Sequence, residues 1–322
     1  MSTLGLRTSS VAADVFRSVD FSAVTALLTR QAITNLWKPS VDIDTPLRHA
    51  RDDITSKCVH ILSNYRLHTS ALSLPIGQLI LPDRLQLLPL FCLSALKSVV
   101  LRSSLPMLGS GIRARKPSPT ADERAFGLYM GASVVPALAM LLVHANVFPI
   151  LDLQDGAGEW QIPKYSMASS EMERAACHAY IQLPGTVNPS ITCLEDYGVY
   201  LIDDGFTIFV YLGKDVASDV SGKLLTRGQD GWSISEDSEY GKQVQRIMWQ
   251  LRRFCAVGEG SESSLRPAVA PVEVVMGNEY HKDPLEERIM CLMVDDSSGS
   301  EHDYIEFLVS LHKKVRQLVD QG

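Results

Sequence analysis

Residue types able to do chemistry are plentiful in this chain, but their spacing assembles no reactive constellation. The six cysteines, Cys58, Cys92, Cys177, Cys193, Cys255 and Cys291, lie far apart, whereas zinc or an iron–sulfur cluster needs thiolates that converge. They read as scattered core thiols. His49, His60 and His68 fall near one helix but not on one face, and read as polar surface or locally satisfied imidazoles rather than ligands. Asp203 and Asp204 could in principle hold calcium, yet beside Gly205 they are already explained by a tight turn. Ser221-Gly222-Lys223 is the nearest approach to a phosphate-binding loop; the glycine required five residues before Gly222 is Ala217, and that reading fails. No Gly-x-Ser-x-Gly elbow, His-Glu-x-x-His pair or strand-following Gly-x-Gly-x-x-Gly is found. The expectation is a protein that binds rather than catalyses, with no catalytic, cofactor-binding or metal residues and no nucleic-acid partner.

Two surface features suit binding. Trp249 lies off the apolar stripe of its helix, among Arg246, Gln250 and Arg253, and a tryptophan flanked by arginines has the composition of an interface hot spot. The alternative is that it packs under a neighbouring loop of the same chain. Arg113, Arg115 and Lys116 form a basic loop that would favour an anionic bilayer by about 1 kcal/mol per charge; a simple solvated loop is the other reading.

The elements that must position these residues fall into two halves. In the first, Leu47, Ala50, Ile54, Cys58, Ile61, Leu62 and Tyr65 keep three-to-four spacing after Thr45-Pro46, which predicts one long amphipathic helix capped at Thr45. Two shorter helices precede it, divided near Ser18–Asp20. Leu85 to Leu96 keeps helical phase with Pro89 expected to kink or divide it. A further helix is predicted from Thr120 towards Val143, with Gly131 and Pro136 weighing against its second half. In the second half, Val199-Tyr-Leu-Ile, the turn Asp203-Asp204-Gly205 and Phe206 to Leu212 predict a tight hairpin of two central strands. Ala270 to Met276 reads as another strand, and helices follow on the stripes Val244, Ile247, Leu251, Phe254, then Leu285, Ile289, Leu292, Met293, then Tyr304, Phe307, Leu311, Val315 and Leu318. Gly228–Tyr240 and Gly258–Arg266 read as loops. The predicted fold class is α + α/β: a helical domain over 1–150, a linker or insertion over 151–178, and a mixed sheet flanked by helices over 179–322.

Length and composition fit two globular domains: 322 residues, 46% hydrophobic and 21% charged. The longest apolar stretches fall well short of the roughly 20 residues of a membrane span, and the first ten residues show no secretory pattern. The net charge of −7 hides an asymmetry: residues 1–145 carry 15 Lys+Arg against 9 Asp+Glu, and residues 146–322 carry 15 against 28. Such a split can orient a protein near an anionic surface.

Several segments, in order, resemble one family. Lys57-Cys-Val-His-Ile-Leu-Ser-Asn-Tyr-Arg66, Gly77-Gln-Leu-Ile-Leu-Pro82, Leu87-Leu-Pro-Leu90, Ala95-Leu-Lys-Ser98, Asp122-Glu-Arg124 and Phe148-Pro149 are similar to the helical domain of the Sec-twenty-four family, the cargo adaptors of the COPII vesicle coat. Asp196 to Gly205 with Phe209-Val-Tyr-Leu-Gly213 resembles its gelsolin-like domain, and Leu285-Glu-Glu-Arg288, Asp303 to Leu308 and His312-Lys313 resemble its C-terminal helices. The resemblance implies a C-terminal portion of a non-enzymatic coat subunit acting in endoplasmic reticulum to Golgi transport. It implies pairing with a Sec-twenty-three family subunit mainly through a trunk outside this chain, contact with cargo proteins and SNAREs, and indirect dependence on a Sar-type small GTPase. It further implies a cytoplasmic protein peripheral on exit-site membrane, with zinc only in an upstream ribbon. Residues 154–178 and 228–240 depart from the family pattern. The rival readings are a Sec-twenty-three-type GTPase-activating subunit and an actin-binding gelsolin protein, which shares the Phe209 to Lys214 signature.

Overall fold

Helices form where the apolar spacing places them. The computed structural model describes residues 11–37, 44–68, 81–102, 120–133, 136–161, 180–228, 231–252, 270–278, 283–297 and 302–321. α1 (Ala12–Arg17) and α2 (Phe21–Leu36) part at Ser18–Asp20; there the Asp20 carboxylate accepts from the Ser22 and Ala23 amides at 3.0 and 3.2 Å, satisfying donors that a first turn leaves orphaned. The long amphipathic helix is α3 (Asp44–His68), which buries Leu47, Ala50, Ile54, Cys58 and Leu62. The Leu85–Leu96 run is divided rather than kinked: α4 (Leu88–Lys97) carries Pro89 in its first turn, which has no use for the missing N–H. α5 (Ala121–Ser133) opens on a reciprocal cap: the Thr120 amide donates to Glu123 Oε2 at 2.9 Å and the Glu123 amide to Thr120 Oγ1 at 3.1 Å. The predicted run to Val143 is divided, and α6 (Pro136–Val143) starts at its proline.

The sheet begins earlier than position 150. β1 (Asn146–Pro149) is a strand of the second unit, followed by β2 (Trp160–Gln161), β3 (Tyr180–Ile181), β4 (Val199–Asp203) and β5 (Ile208–Leu212). Then come α7 (Ser218–Leu224), β6 (Leu225–Arg227), β7 (Trp232–Ile234), α8 (Glu239–Arg252), β8 (Val272–Met276) and α9 (Pro284–Leu292). The main sheet runs β1-β4-β5-β8, with β5 and β8 parallel and the other pairs antiparallel. Every residue of β4 and β5 is buried, the expected condition of central strands apolar on both faces. Val244, Ile247, Met248 and Leu251 of α8 pack with Leu201 and Val210 on one face, and Ile289 of α9 packs with Ile202 and Phe209 on the other. Asp283 caps α9 by accepting from the Leu285 amide at 2.8 Å.

The hairpin is wider than Asp-Gly suggests. Asp203 pairs with Ile208, so residues 204–207 form the loop and Phe206-Thr207 are not strand. Both aspartates fold back onto it: Asp203 Oδ1 accepts from the Gly205 amide at 3.0 Å, and Asp204 Oδ1 from the Phe206 and Thr207 amides at 2.9 and 2.7 Å. Those local bonds stabilise a longer turn than the two-residue kind, with Gly205 at φ 85°. The predicted loop over Gly228–Tyr240 also differs, since β7 pairs with β6 there and α8 starts at Glu239. Gly258–Arg266 lies outside the described residues, as does most of the proposed linker; its described start carries β2.

The chain then returns to the first unit. Its last helix, α10 (Tyr304–Gln321), buries Phe307, Leu311 and Val315 in the same core as Leu47, Ile54 and Leu62 of α3. The two units are therefore residues 1–144 with 294–322, and residues 145–293. Sequence periodicity places this helix in the second domain, over 179–322; the apolar face of α3 takes it instead.

The inward turn of basic side chains qualifies the charge asymmetry. Lys97 is 4% exposed, and Arg66 and Arg124 are buried as well. Arg51 Nη1 donates to the Leu96 and Leu101 carbonyls at 2.7 and 2.6 Å, and Arg124 donates to those of Val100 and Arg102 at 3.1 and 3.0 Å. These cations cap carbonyls at and beyond the C-terminal end of α4, where the helix dipole favours positive charge. Counted by unit, the first has 18 basic residues against 15 acidic, and the second 12 against 22.

Candidate binding surface

On α8, Val244, Ile247, Met248 and Leu251 face the sheet, and the other side fastens a strap formed by residues 157–161 and 180–181. Gln243 Nε2 donates to the Ala157 carbonyl at 2.6 Å, Arg246 Nε to that of Gly158 at 2.8 Å, and the Ile181 amide donates to Gln250 Oε1 at 3.1 Å. Gly156 and Gly158 hold φ of 83° and 75°, conformations open to glycine, and so let the strap turn under the helix. Trp160 on β2 then meets Trp249, ring centroids 5.3 Å apart and planes at 65°. Edge-to-face contact of this kind suits the quadrupoles of two indoles.

Trp249 thus meets an indole of its own chain. It does pack against a neighbouring segment, yet it remains 39% exposed and Trp160 53%. Arg246 is engaged within the chain, through Gly158 and through Glu239 at 3.1 Å. Arg253, and with it Arg113, Arg115 and Lys116, lies outside the described residues. Sequence reasoning missed Trp160, which sits in what reads as linker; a lone tryptophan in a polar stretch was the available signal. Trp232 was missed likewise, an exposed indole with Arg227 Cζ 5.8 Å from its ring centroid.

The other candidates resolve into structure. His49, His60 and His68 are exposed positions of α3. Among the described residues, no group of three or more His, Cys, Asp or Glu side chains could hold a metal ion. Cys58 and Cys92 are free and buried in the helical core; the neighbouring Cys58 thiol, then burial, push the Cys92 thiol up. No described helix is long and apolar enough to cross a membrane.

Asp204 is 6% exposed and its Oδ2 lies 3.1 Å from Arg288 Nη2 of α9; the guanidinium also stands 5.3 Å from the Phe209 centroid. Burial pushes the Asp204 carboxyl above its ordinary range, and Arg288 opposes that. Arg288→Met should therefore cost about 3 kcal/mol at neutral pH. The sign with pH follows: an acid whose folded pKa is raised binds its proton more tightly when folded, so its destabilisation grows as pH rises through the folded value and vanishes below the unfolded one. Denaturation of parent and variant at several pH values should show the gap narrowing on acidification.

Residues 20–108 match the Sec23/Sec24 helical domain family, and residues 181–224 match the gelsolin repeat. "Protein transport protein SEC24" of Lodderomyces elongisporus is 28% identical over 336 residues, covering 98% of this chain and 32% of that protein. The chain is similar to the SEC24 proteins along nearly all of its length. SEC24 B of Arabidopsis thaliana is 24% identical over 319 residues, covering 97% of this chain and 24% of its own. The crystal structure of the human COPII-coat protein Sec24c superposes with a TM-score of 0.68 at 21% identity, covering 97% of this chain and 35% of the other; it shares the fold. The chain thus spans about a quarter to a third of the SEC24 relatives it matches.

Proposed function

We propose that this chain supplies the helical and gelsolin-like modules of a COPII cargo-adaptor subunit and acts by binding, without catalysis. The observation that carries the reading is order: a Sec23/Sec24 helical-domain match precedes a single gelsolin-repeat match, within similarity to SEC24 proteins over almost the whole chain. The protein would be cytoplasmic and peripheral at endoplasmic reticulum exit sites. It would work beside a Sec23-type subunit, recruited through a Sar-type GTPase, with cargo proteins and SNAREs as clients. Pairing would run mainly through a trunk, and zinc would sit in a ribbon, both outside these 322 residues. The basic loop Arg113, Arg115, Lys116 would face anionic membrane, and Trp249, with Arg246 and Arg253 beside it, would contact a partner.

Proximity labelling from the tagged protein in its own cells tests this. Enrichment of the Sec23-type subunit and of other coat proteins is expected; its absence rejects the coat assignment. Stimulated GTP hydrolysis by a Sar-type GTPase would favour a Sec23-type role instead, and pelleting with actin filaments would favour a gelsolin-type one.

A further inference from the structure

The outermost strand of a sheet holds half of its backbone groups out to whatever lies beside it. At one edge of the main sheet those groups find a partner: the Val187 amide donates to the Val147 carbonyl of β1 at 2.9 Å. At the other edge, β8 bonds to β5 through alternate residues. The Ile208 amide donates to the Pro271 carbonyl at 3.0 Å and the Gly277 amide to the Leu212 carbonyl at 2.7 Å. Val272, Val274 and Met276 therefore turn their N–H and C=O groups away from β5, and among the described residues no hydrogen bond reaches those groups.

Edges are commonly guarded by lysine, proline or a bulge. β8 reads Val-Glu-Val-Val-Met, and its register with β5 runs unbroken from Val272 to Met276. Val272 and Val274 pack towards the core under α8, Val275 packs on the opposite face, and Met276 stays 40% exposed. The strand has one ionisable residue, Glu273, half-buried and met by no ion pair among the described residues.

We propose that the β8 edge receives an extended, cationic segment of a partner protein as one more strand. Main-chain bonds to Val272, Val274 and Met276 hold it, and a lysine or arginine stands opposite Glu273. A second copy of this chain suits the edge poorly, because the unit carries 22 acidic residues against 12 basic and two such units repel. The proposal uses strand geometry and charge alone, so it stands apart from the coat assignment.

The 322-residue protein titrated with a capped octapeptide of alternating valine and lysine tests it. Binding is expected, with amides of Val272, Val274 and Met276 gaining protection from hydrogen exchange. The same peptide N-methylated at every second residue keeps its charge and side chains but loses the donors on one edge; about tenfold weaker binding is expected. A peptide of alternating valine and glutamate should bind weakly as well. Val274→Pro removes an outward amide while sparing the bonds to β5, and should lower affinity with far-ultraviolet dichroism unchanged. Equal binding of the N-methylated peptide overturns the proposal, as does binding that leaves the three amides unprotected. Equal binding of the glutamate peptide overturns the cationic partner, and dimerisation abolished by Val274→Pro replaces that partner with a second copy. Absent coat labelling bears on the proposed function alone, whereas these outcomes bear on the β8 edge alone.

Discussion

Lys97→Met is expected to destabilise the first unit by about 3 kcal/mol, with the damage concentrated at α10. The Lys97 ammonium is buried in the last turn of α4 and donates at 2.6 Å to both the Val294 and the Asp296 carbonyls. Those carbonyls belong to the segment that brings the chain back to the helical core. Methionine keeps the length of the stem and removes the donor, which leaves one buried and one part-buried acceptor unmet, at about 1–3 kcal/mol each, offset by relief of a buried charge. Asp295 loses a neighbour as well: burial and Asp296 push its carboxyl up, and Lys97 opposes them. Hydrogen exchange is the appropriate measurement, because it reads local opening. Amides of α10 should exchange faster in the variant while those of β4 and β5 keep their protection. Lys313→Met, at an exposed position of α10, should leave both unchanged; uniform exchange in Lys97→Met would show that the lysine does not hold the return.

Gly213→Ala should cost the second unit about 3 kcal/mol. The glycine follows β5 and lies against the turn at Glu195–Asp196, its amide donating to the Gly198 carbonyl at 2.9 Å and the Asp215 amide to that of Asp196 at 2.7 Å. A methyl group there would collide with the Asp196 carbonyl and stand 2.6 Å from the Glu195 oxygen. Both obstacles are backbone, so relief would have to come from moving the end of the central hairpin. Gly222→Ala is the natural contrast: it sits in α7 with nothing within 4 Å of the added carbon, and should be neutral or stabilising by about 0.5–1 kcal/mol. Urea midpoints of the two variants should move in different directions. Equal midpoints would mean that the close approach at Gly213 relaxes without cost.

How much of this was legible in the sequence depends on how local each signal is. α3, α8 and α10 carry apolar stripes several turns long, and β4 and β5 are dense in β-branched and aromatic residues around a glycine turn; such patterns survive without tertiary context. β1, β2, β3, β6 and β7 have only two to four residues each. A segment so short is a strand because of its partner, as Phe148 is because Leu201 lies opposite. The periodicity of α10 announces an apolar face but cannot name the core that receives it. Burial of Lys97 follows from carbonyls nearly 200 positions away, which composition cannot anticipate. The same holds at the candidate surface: Trp249 was conspicuous among arginines, whereas its companion Trp160 comes from β2, about 90 residues earlier.

The interrupted first unit has a consequence during synthesis. α3 leaves the ribosome about 235 residues before α10 begins, an interval on the order of 10–50 s at ordinary elongation rates. Throughout it, the groove that Phe307, Leu311 and Val315 will fill is open to water and to chaperones. The intervening unit, contiguous in the chain, can finish folding before the first unit receives its last helix.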